Sequence, residues 1–575
     1  MPPLTLSEQT RLARLATDRV RRAALARLLG SPLLRWRYGA PVADELLIVP
    51  QELRTCDPSF AAEVEAGHFG FGGACAYIGS GSPFDLRPPS MEWARELHGF
   101  GWLRHLRAAE QQDAREKAVS LVTRWIKTRG GRNGIAWEPA VVGRRLMAWI
   151  ANAPLLLEGV DQSVYDLIAD SLGRQLVHLS ATWRDATEGY PRLVSLSALV
   201  LSDLCVAGHD RHLGEIAAAF AAELDRQILP DGGHISRNPG ILAELLLDFL
   251  PLRQCFAVRD RRPPPALDAA IDRMMPMLRF MRLGNAALAR FNGMGAPNLD
   301  ALATVLAYSE VPKSLPNHLA ASAYARLERG ETIVIADVGR PPPLEMAGKA
   351  HAGCLSFELS VGRYPVFVNG GAPGPANHDR QAAARATASH NTLCVAGTSS
   401  SRLVNHELLE SLVGASPIRF PDSVSVKVST TADGALAVDA QHDGYLRQFG
   451  LIHRRRLELA ADGEQLAGTD RLGPLKGHLR LPVDVPFAIH FHLHPTVVCR
   501  STGPAGAQLV LPDGQQWTLS ASGAELSIEE SVHFADLSGP RRSLQIVMRA
   551  TTFGESTVNW HLQRLPETAT EGDRT

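Results

Sequence analysis

Cysteines are few in this 575-residue chain, and they are widely separated. Seven occur, an odd number, and no two of them form a Cys-x-x-Cys pair. Disulfide-stabilised domains and thiolate zinc sites both depend on regularly spaced cysteines. The spacing therefore argues against both.

The chain also lacks a charge excess and a long apolar run. Lysine and arginine number 59, aspartate and glutamate 60, and the formal net charge is −1. This balance argues against a general nucleic-acid or membrane-surface binder, while leaving room for a local basic groove.

No window approaches the length of a membrane span. Residues 1–30 contain scattered arginines and predict an amphipathic helix rather than a signal peptide. The expected location is the cytoplasm, or the periplasm or cell envelope if translation starts upstream.

Two hydrophobic periods divide the chain. Between about residues 90 and 310 apolar residues recur with helical spacing, and Gly, Pro and Asn mark the breaks. The rhythm predicts an array of antiparallel helical hairpins. The predicted helices are Trp93–Glu110, Arg115–Thr128, Pro139–Ala153, Val164–Thr187, Arg192–Ala207, Leu213–Leu229, Ile241–Cys255, Ala266–Leu283 and Leu299–Ser309. Residues 1–90 predict one or two helices followed by a glycine-rich loop over residues 68–83.

After about Gly330 short segments alternate between apolar and polar residues, and they predict an antiparallel sandwich. Leu355–Val361 predicts a half-buried strand, with Ser356, Glu358 and Ser360 opposite its apolar face. A second short strand is predicted at Val366–Asn369. The basic run His453–Leu459 predicts a solvated face of the sheet, with contact to a polyanion as the alternative.

Six strings, in this order and spacing, resemble the heparinase II/III family of polysaccharide lyases, and the resemblance covers most of the chain. They are MEWARELHGFGWLRHL (Met91–Leu106), DGGHISRNPG (Asp231–Gly240), HAGCLSFELS (His351–Ser360), ASHNTLCVAG (Ala388–Gly397), HDGYLRQFGLIHRRRLEL (His442–Leu459) and FAIHFHLHP (Phe487–Pro495). The resemblance implies an α+β multidomain fold with an (α/α) toroid (91–330) and a β-sandwich (331–565). An N-terminal segment (1–90) precedes them, and the composition of the last residues predicts a disordered tail (566–575).

The resemblance also implies β-elimination on a glycan that contains uronic acid, such as a glycosaminoglycan. The reaction needs a group that neutralises the uronate carboxylate, a base for the C5 proton and an acid for the departing oxygen. The family places Asn or His at the start of a toroid helix, Tyr after an acidic-glycine turn and His at the sandwich edge. This chain has Arg192, Ile241 and Lys349 near those positions.

The candidate catalytic residues follow from that comparison. Arg192 and Asn238 would clamp the carboxylate, His234 or Lys349 would be the base, and Tyr445 or a sandwich histidine would be the acid. Arg237, Tyr190 and Asn292 are candidate substrate-binding residues. Each also has a plain structural interpretation, as a helix cap, an ion pair or a packed side chain.

His351, Asn369 and His390 stand where zinc-containing members of the family have metal ligands. An amide oxygen is a poorer zinc ligand than a carboxylate. No cofactor is therefore assigned with certainty: the three residues predict either a structural zinc site or a cluster of imidazole and amide hydrogen bonds.

Two functions remain open from the sequence. The first is a polysaccharide lyase whose partner is an anionic polysaccharide or oligosaccharide. The second is a catalytically degenerate protein that binds glycans or assists assembly of the cell envelope. A hydrolase with paired carboxylates is the weakest alternative, because no acidic pair is nominated by its spacing. The oligomeric state is not predicted.

Overall fold

A computed structural model defines the fold. It describes residues 4–29, 45–71, 73–79, 81–129, 134–209, 213–310, 314–374, 378–404, 410, 417–475, 484–552 and 554–566. All but the first residue of the predicted tail, 566–575, lies outside this part of the chain.

Helices dominate the first half of the chain. They are α1 (Leu6–Leu29), α2 (Phe60–Glu65), α3 (Met91–Gly99), α4 (Leu103–Ala108), α5 (Gln112–Arg129), α6 (Pro139–Ala151), α7 (Ala153–Leu157), α8 (Gln162–Thr182), α9 (Tyr190–Cys205), α10 (Leu213–Gln227), α11 (Pro239–Val258), α12 (Pro265–Phe280) and α13 (Leu299–Leu306), with α14 (His378–Arg385) and α15 (Leu446–Phe449) in the second half. The predicted helix Trp93–Glu110 is two helices, because Phe100 adopts a left-handed conformation (φ 56°) that ends α3.

The burial of α9 and α10 shows why the helices form two layers. Every residue of α9 from Leu193 to Cys205 is buried, as expected of a helix whose residues are mostly apolar and small. In α10 only Leu213, Ile216, Phe220, Leu224 and Gln227 are buried, and they form one stripe. Helix α9 therefore lies inside the helical half, which we call the toroid, and α10 lies outside.

Strands dominate the second half. They are β1 (His68–Phe71), β2 (Ala74–Tyr77), β3 (His318–Leu319), β4 (Tyr324–Arg329), β5 (Thr332–Asp337), β6 (Phe357–Val361), β7 (Tyr364–Phe367), β8 (Leu393–Val395), β9 (Val424–Thr430), β10 (Leu436–His442), β11 (Leu451–Leu459), β12 (Gln465–Pro474), β13 (Val485–His492), β14 (Val498–Gly503), β15 (Gly506–Val510), β16 (Gln516–Ser522), β17 (Glu525–His533), β18 (Arg541–Thr552) and β19 (Ser556–Arg564).

Antiparallel sheets build the sandwich. Over the described residues the orders are β14-β15-β16-β19-β12-β11-β10-β9, β17-β18-β13-β8 and β3-β4-β5-β6-β7. Apolar side chains of these sheets, including Phe357, Phe491 and Trp560, share one core. The predicted class, a helical toroid followed by an antiparallel sandwich, is confirmed. The sheets begin at His318, before the predicted boundary at residue 330.

Two local predictions are wrong. The glycine-rich segment over residues 68–83 is not a loop throughout, because β1 and β2 pair as a hairpin with His68 opposite Tyr77. Strand β6 is not half-buried: Ser356, Glu358 and Ser360 are buried as fully as its apolar residues. Their face of the strand is covered because the toroid packs there, as shown by the hydrogen bond from Gly284 N to Ser360 Oγ (2.9 Å).

Candidate functional site

Arg192 lies in the first turn of α9, where Pro191 helps to start the helix. Its Nη1 atom is 2.7 Å from Glu188 Oε1 and 3.5 Å from Glu223 Oε1. Arg226 also contacts both glutamates, so two arginines face two carboxylates. The predicted carboxylate clamp is thus already neutralised within the protein.

His234 is buried, and both of its ring nitrogens are hydrogen-bonded. Nδ1 accepts the backbone N–H of Ser236 (3.1 Å), so Nε2 carries the proton and donates to Gln227 Oε1 (3.0 Å). Burial lowers the pKa of His234 to about 3, which keeps the ring neutral. Gln227 in turn donates to Glu223 (2.8 Å). His234 and Arg192 therefore belong to one hydrogen-bonded chain of side chains.

Arg237 and Asn292 fix the toroid to the sandwich. Arg237 Nη2 forms a buried ion pair with Asp337 Oδ1 at 2.7 Å, and its guanidinium also donates to carbonyl groups of Ser322, Ala323 and Arg340. Asn292 Nδ2 lies 3.2 Å from the hydroxyl of Tyr324 and 3.4 Å from Asp337 Oδ2. Two of the three predicted substrate-binding residues, Arg237 and Asn292, thus have their polar groups engaged at the junction between the two halves.

Asn238 is the N-cap of α11. Its Oδ1 atom accepts the backbone N–H of Gly240 at 2.9 Å, as an N-cap residue does. Only 8% of the residue is exposed. The resemblance places the family's tyrosine about three residues after this cap, where this chain has Ile241 and therefore no phenolic side chain.

Tyr190 belongs to a cluster of arginine and acidic side chains that the sequence did not indicate. Its hydroxyl accepts a hydrogen bond from Arg144 Nη2, and Arg144 forms an ion pair with Asp248 (2.7 Å). Arg54 contacts the same carboxylate oxygen at 2.8 Å and Glu244 at 3.3 Å. The one available signal was Asp248 itself, a carboxylate within the apolar segment of α11. Here too the arginines face carboxylates.

On the sandwich side, His351 and His390 are hydrogen-bonded to each other. The atoms His351 Nδ1 and His390 Nε2 are 3.0 Å apart, and His390 Nδ1 is 2.8 Å from the Ala386 carbonyl oxygen. Since only a protonated Nδ1 can donate to that carbonyl, His390 Nε2 accepts the proton of His351. Burial lowers the pKa of His390 to about 4 and that of His351 well below its usual range. The pair is neutral.

The three residues predicted as metal ligands do not fit a zinc ion. His351 and His390 use ring nitrogens on each other, and the side chain of Asn369 is engaged elsewhere: Nδ2 donates to the Arg290 carbonyl (3.1 Å) and Oδ1 accepts Asn391 N–H (3.1 Å). In the described part of the chain, no three His, Cys, Asp or Glu side chains form a group that could hold a metal. The arrangement is that of a hydrogen-bond cluster.

Lys349 and Tyr445 occupy very different surroundings. Lys349 is exposed and lies beside the toroid loop, where a Cβ atom on Gly293 would come within 2.4 Å of the Lys349 carbonyl oxygen. Tyr445 is 1% exposed, and its hydroxyl donates to the Leu393 carbonyl at 2.8 Å inside the sandwich. Lys349 is therefore exposed beside the junction, whereas Tyr445 packs inside the sandwich.

The site residues thus form two groups. Arg192, His234 and Asn238 share one neighbourhood of the toroid, and His351 belongs to the sandwich. Contacts across the junction, such as Asn369 Nδ2 with the Arg290 carbonyl, connect the two sides. Arg192 and Arg144 on the toroid side lie in ion pairs with glutamate and aspartate, so they add little to the local basic groove that the balanced charge left possible.

Comparison with known proteins places this architecture in a family. A family model described as "Heparinase II/III-like, C-terminal" matches residues 311–561. FtsZ-localized protein C of Caulobacter vibrioides (strain NA1000 / CB15N) is 31% identical in an alignment of 552 positions that covers 93% of this chain and 93% of that one. The chain belongs to the heparinase II/III-like family.

Solved structures support the fold. The heparan sulfate lyase HepC mutant from Pedobacter heparinus has a TM-score of 0.61 at 13% identity, covering 94% of this chain and 89% of that one. A crystal structure of heparinase III has a TM-score of 0.68 at 12% identity, covering 86% and 81%. Identities this low show a common fold alone. No helix over the described residues is long and apolar enough to cross a membrane.

Proposed function

We propose that this chain is a non-lytic member of the heparinase II/III-like family that works at the division site with FtsZ. The proposal of a division role rests on the relative FtsZ-localized protein C, which is 31% identical over 93% of both chains. A site of action beside FtsZ would also place the protein in the cytoplasm rather than in the periplasm or cell envelope.

One observation carries the non-lytic part: Arg192 is held between Glu188 and Glu223. A uronate carboxylate brought to this arginine would also meet two carboxylates of the protein, and like charges repel it. The other requirements are poorly met as well. His234 has both nitrogens engaged, and Tyr445 is enclosed in the sandwich. Arg192, His234 and Tyr445 therefore do not offer a clamp, a base and an acid that could all act on one substrate.

The junction between toroid and sandwich remains the proposed binding site. Exposed Lys349 at its edge would contact a carboxylate or sulfate of an anionic glycan through a solvent-exposed ion pair. Solvent screening makes a single contact of this kind weak, so the proposed complex would weaken further as salt is added.

The second candidate is a polysaccharide lyase, and one observation favours it. Lys349 is exposed at the junction, and by the family resemblance it would stand at the position of the catalytic histidine. In that mechanism Arg192 and Asn238 would neutralise the carboxylate, and His234 or Lys349 would remove the C5 proton. A sandwich side chain such as His351 would protonate the leaving oxygen. The product would carry a carbon–carbon double bond conjugated to the carboxylate.

Two assays distinguish the candidates. The full chain is incubated with a panel of uronate polymers while ultraviolet absorbance of the unsaturated product is followed, with a heparinase III as positive control. In parallel, the protein is sedimented with FtsZ polymers assembled with GTP, and with unassembled FtsZ as the control. We expect no absorbance change and co-sedimentation only with polymers. An absorbance increase that is lost in K349A would establish the lyase instead. Absence from the FtsZ pellet and from FtsZ rings in cells would refute the division role.

A further inference from the structure

Two buried cysteines meet in the toroid, outside the site described above. Cys205 is the last residue of α9, and Cys255 lies in the last turn of α11. Their sulfur atoms are 4.0 Å apart, and the residues are 0% and 2% exposed. The two positions are 50 residues apart in sequence, so their proximity is a product of the fold.

The contact makes the two thiols unequal. Cys205 donates its S–H to the sulfur of Cys255, and this hydrogen bond lowers the pKa of Cys255 while burial opposes the change. The same contact, together with burial, raises the pKa of Cys205. An asymmetric pair of this kind contains one sulfur suited to attack and one that stays protonated until the second step.

We propose that Cys205 and Cys255 are a peroxide-responsive thiol pair that closes to an intramolecular disulfide. The oxidant is a hydroperoxide, and the model compound is hydrogen peroxide. In the first step the Cys255 thiolate attacks one peroxide oxygen: an S–O bond forms, the O–O bond breaks, and hydroxide leaves. In the second step Cys205 sulfur attacks Cys255 sulfur: the S–S bond forms, the S–O bond breaks, and water leaves. Two thiols are oxidised by two electrons, and the peroxide is reduced to water.

The geometry suits this closure. Sulfur atoms 4.0 Å apart must approach to about 2.05 Å, so the two side chains together have to move by about 2 Å. Backbone hydrogen bonds pair the segment Glu45–Leu47 with the chain at Cys205: Leu47 N donates to the Cys205 carbonyl (2.7 Å), and Ala207 N donates to the Glu45 carbonyl (2.9 Å). A water-sized oxidant must therefore enter by local opening, so we expect oxidation to be slower than at an exposed thiol.

The disulfide would join the C-terminal ends of two helices: α9, whose first turn carries Arg192, and α11, whose N-cap is Asn238. Because it closes a loop of about fifty residues, it restricts the unfolded chain and should raise the midpoint of thermal unfolding. Oxidation would thereby stiffen the part of the toroid that supports the junction.

Peptide mapping of the full chain tests the pair directly. Exposed Cys56 and Cys75 are first replaced by serine, to prevent links between molecules. The protein is treated with hydrogen peroxide, quenched with catalase, alkylated in denaturant and digested. We expect a linked Cys205–Cys255 peptide that dithiothreitol releases, and a higher thermal midpoint for the oxidised form.

Variants make the test specific. C205S and, independently, C255A should form no such link and show no midpoint shift, whereas C394S, which removes a buried thiol of the sandwich, should keep both. The mapping itself is made on the protein that lacks only Cys56 and Cys75 and keeps both Cys205 and Cys255, so misfolding of C205S would not hide the answer. Recovery of Cys205 and Cys255 as two alkylated thiols, in a sample whose half-buried Cys499 is oxidised, would overturn the proposal.

Discussion

Replacing Arg455 with alanine should destabilise the sandwich far more than the same change at its neighbour Arg454. Arg455 is 3% exposed and binds Asp470 through two atoms, Nε at 2.7 Å and Nη2 at 3.0 Å. Its Nη1 atom donates to the carbonyls of Leu355 (2.8 Å) and Asn391 (2.6 Å), which belong to other parts of the sandwich. One side chain thus satisfies a buried carboxylate and two buried carbonyl groups.

The magnitude follows from what R455A leaves behind. Asp470, which is 1% exposed, keeps hydrogen bonds from His453 Nε2 (2.7 Å) and Trp560 Nε1 (3.0 Å) but loses its cation. Removing one partner of a buried ion pair costs about 3–5 kcal/mol. Each of the two carbonyls left without a donor costs about 1–3 kcal/mol more, and water that enters the cavity offsets part of this cost. We therefore expect a loss of at least about 4 kcal/mol.

The control is R454A, one position away on the same strand. Arg454 is half-buried on the opposite face and donates to Gln441 at 3.2 Å, so its loss should cost no more than about 0.5 kcal/mol. Urea unfolding followed by circular dichroism measures both variants. Combining R455A with D470N should restore part of the lost stability, because the uncompensated charge is removed. Equal urea midpoints for R455A and R454A would refute the reasoning.

Three further predictions concern the junction between the two halves. G284A should lower the unfolding midpoint, because the added Cβ would lie 1.7 Å from the Gly362 carbonyl oxygen, whereas in G214A it would meet nothing within 4 Å and the midpoint should hold or rise. Burial raises the pKa of Glu358 to about 7, so the folded state keeps a proton that the unfolded state releases, and stability should fall as pH rises from about 4.5 to 7. E358Q should lack this dependence of stability on pH. Its thermal midpoint should therefore differ less from that of the wild type at pH 5 than at pH 8. K349A should weaken binding of an anionic oligosaccharide by up to about fivefold at low salt, measured by titration calorimetry, with unchanged affinity arguing against the proposed site.

Much of the architecture could be predicted because it rests on local periodicity. The helices α5 and α10 and the alternating strands of the sandwich follow directly from the spacing of apolar residues. The periodicity of β6 was also correct, but its exposure was not. Ser356, Glu358 and Ser360 alternate as solvent-facing residues do, yet they are buried where the toroid packs against the sandwich. A single strand contains no sign of what packs on its polar face.

The run His453–Leu459 shows the same limit within one strand. Arg454 and Arg456 are partly exposed, as the alternation predicts for a solvated face, and Arg456 pairs with Asp439 at 2.5 Å. Arg455 shares the buried face with His453, because it forms an ion pair with Asp470 on the neighbouring strand β12. Its partner lies 15 residues away, so the local sequence could not reveal that this arginine belongs to the core.

Partners distant in sequence also decide the candidate site. Glu188 is four residues from Arg192 and could have been suspected as a helical neighbour, but Glu223 comes from α10. Placing the family's asparagine at position 192 would leave both carboxylates beside the clamp position, still in contact with Arg226. A uronate would then meet more negative charge than before. Under the proposed non-lytic function, the difference from the lyase pattern is therefore a rearrangement of partners around Arg192, which a single substitution would not reverse.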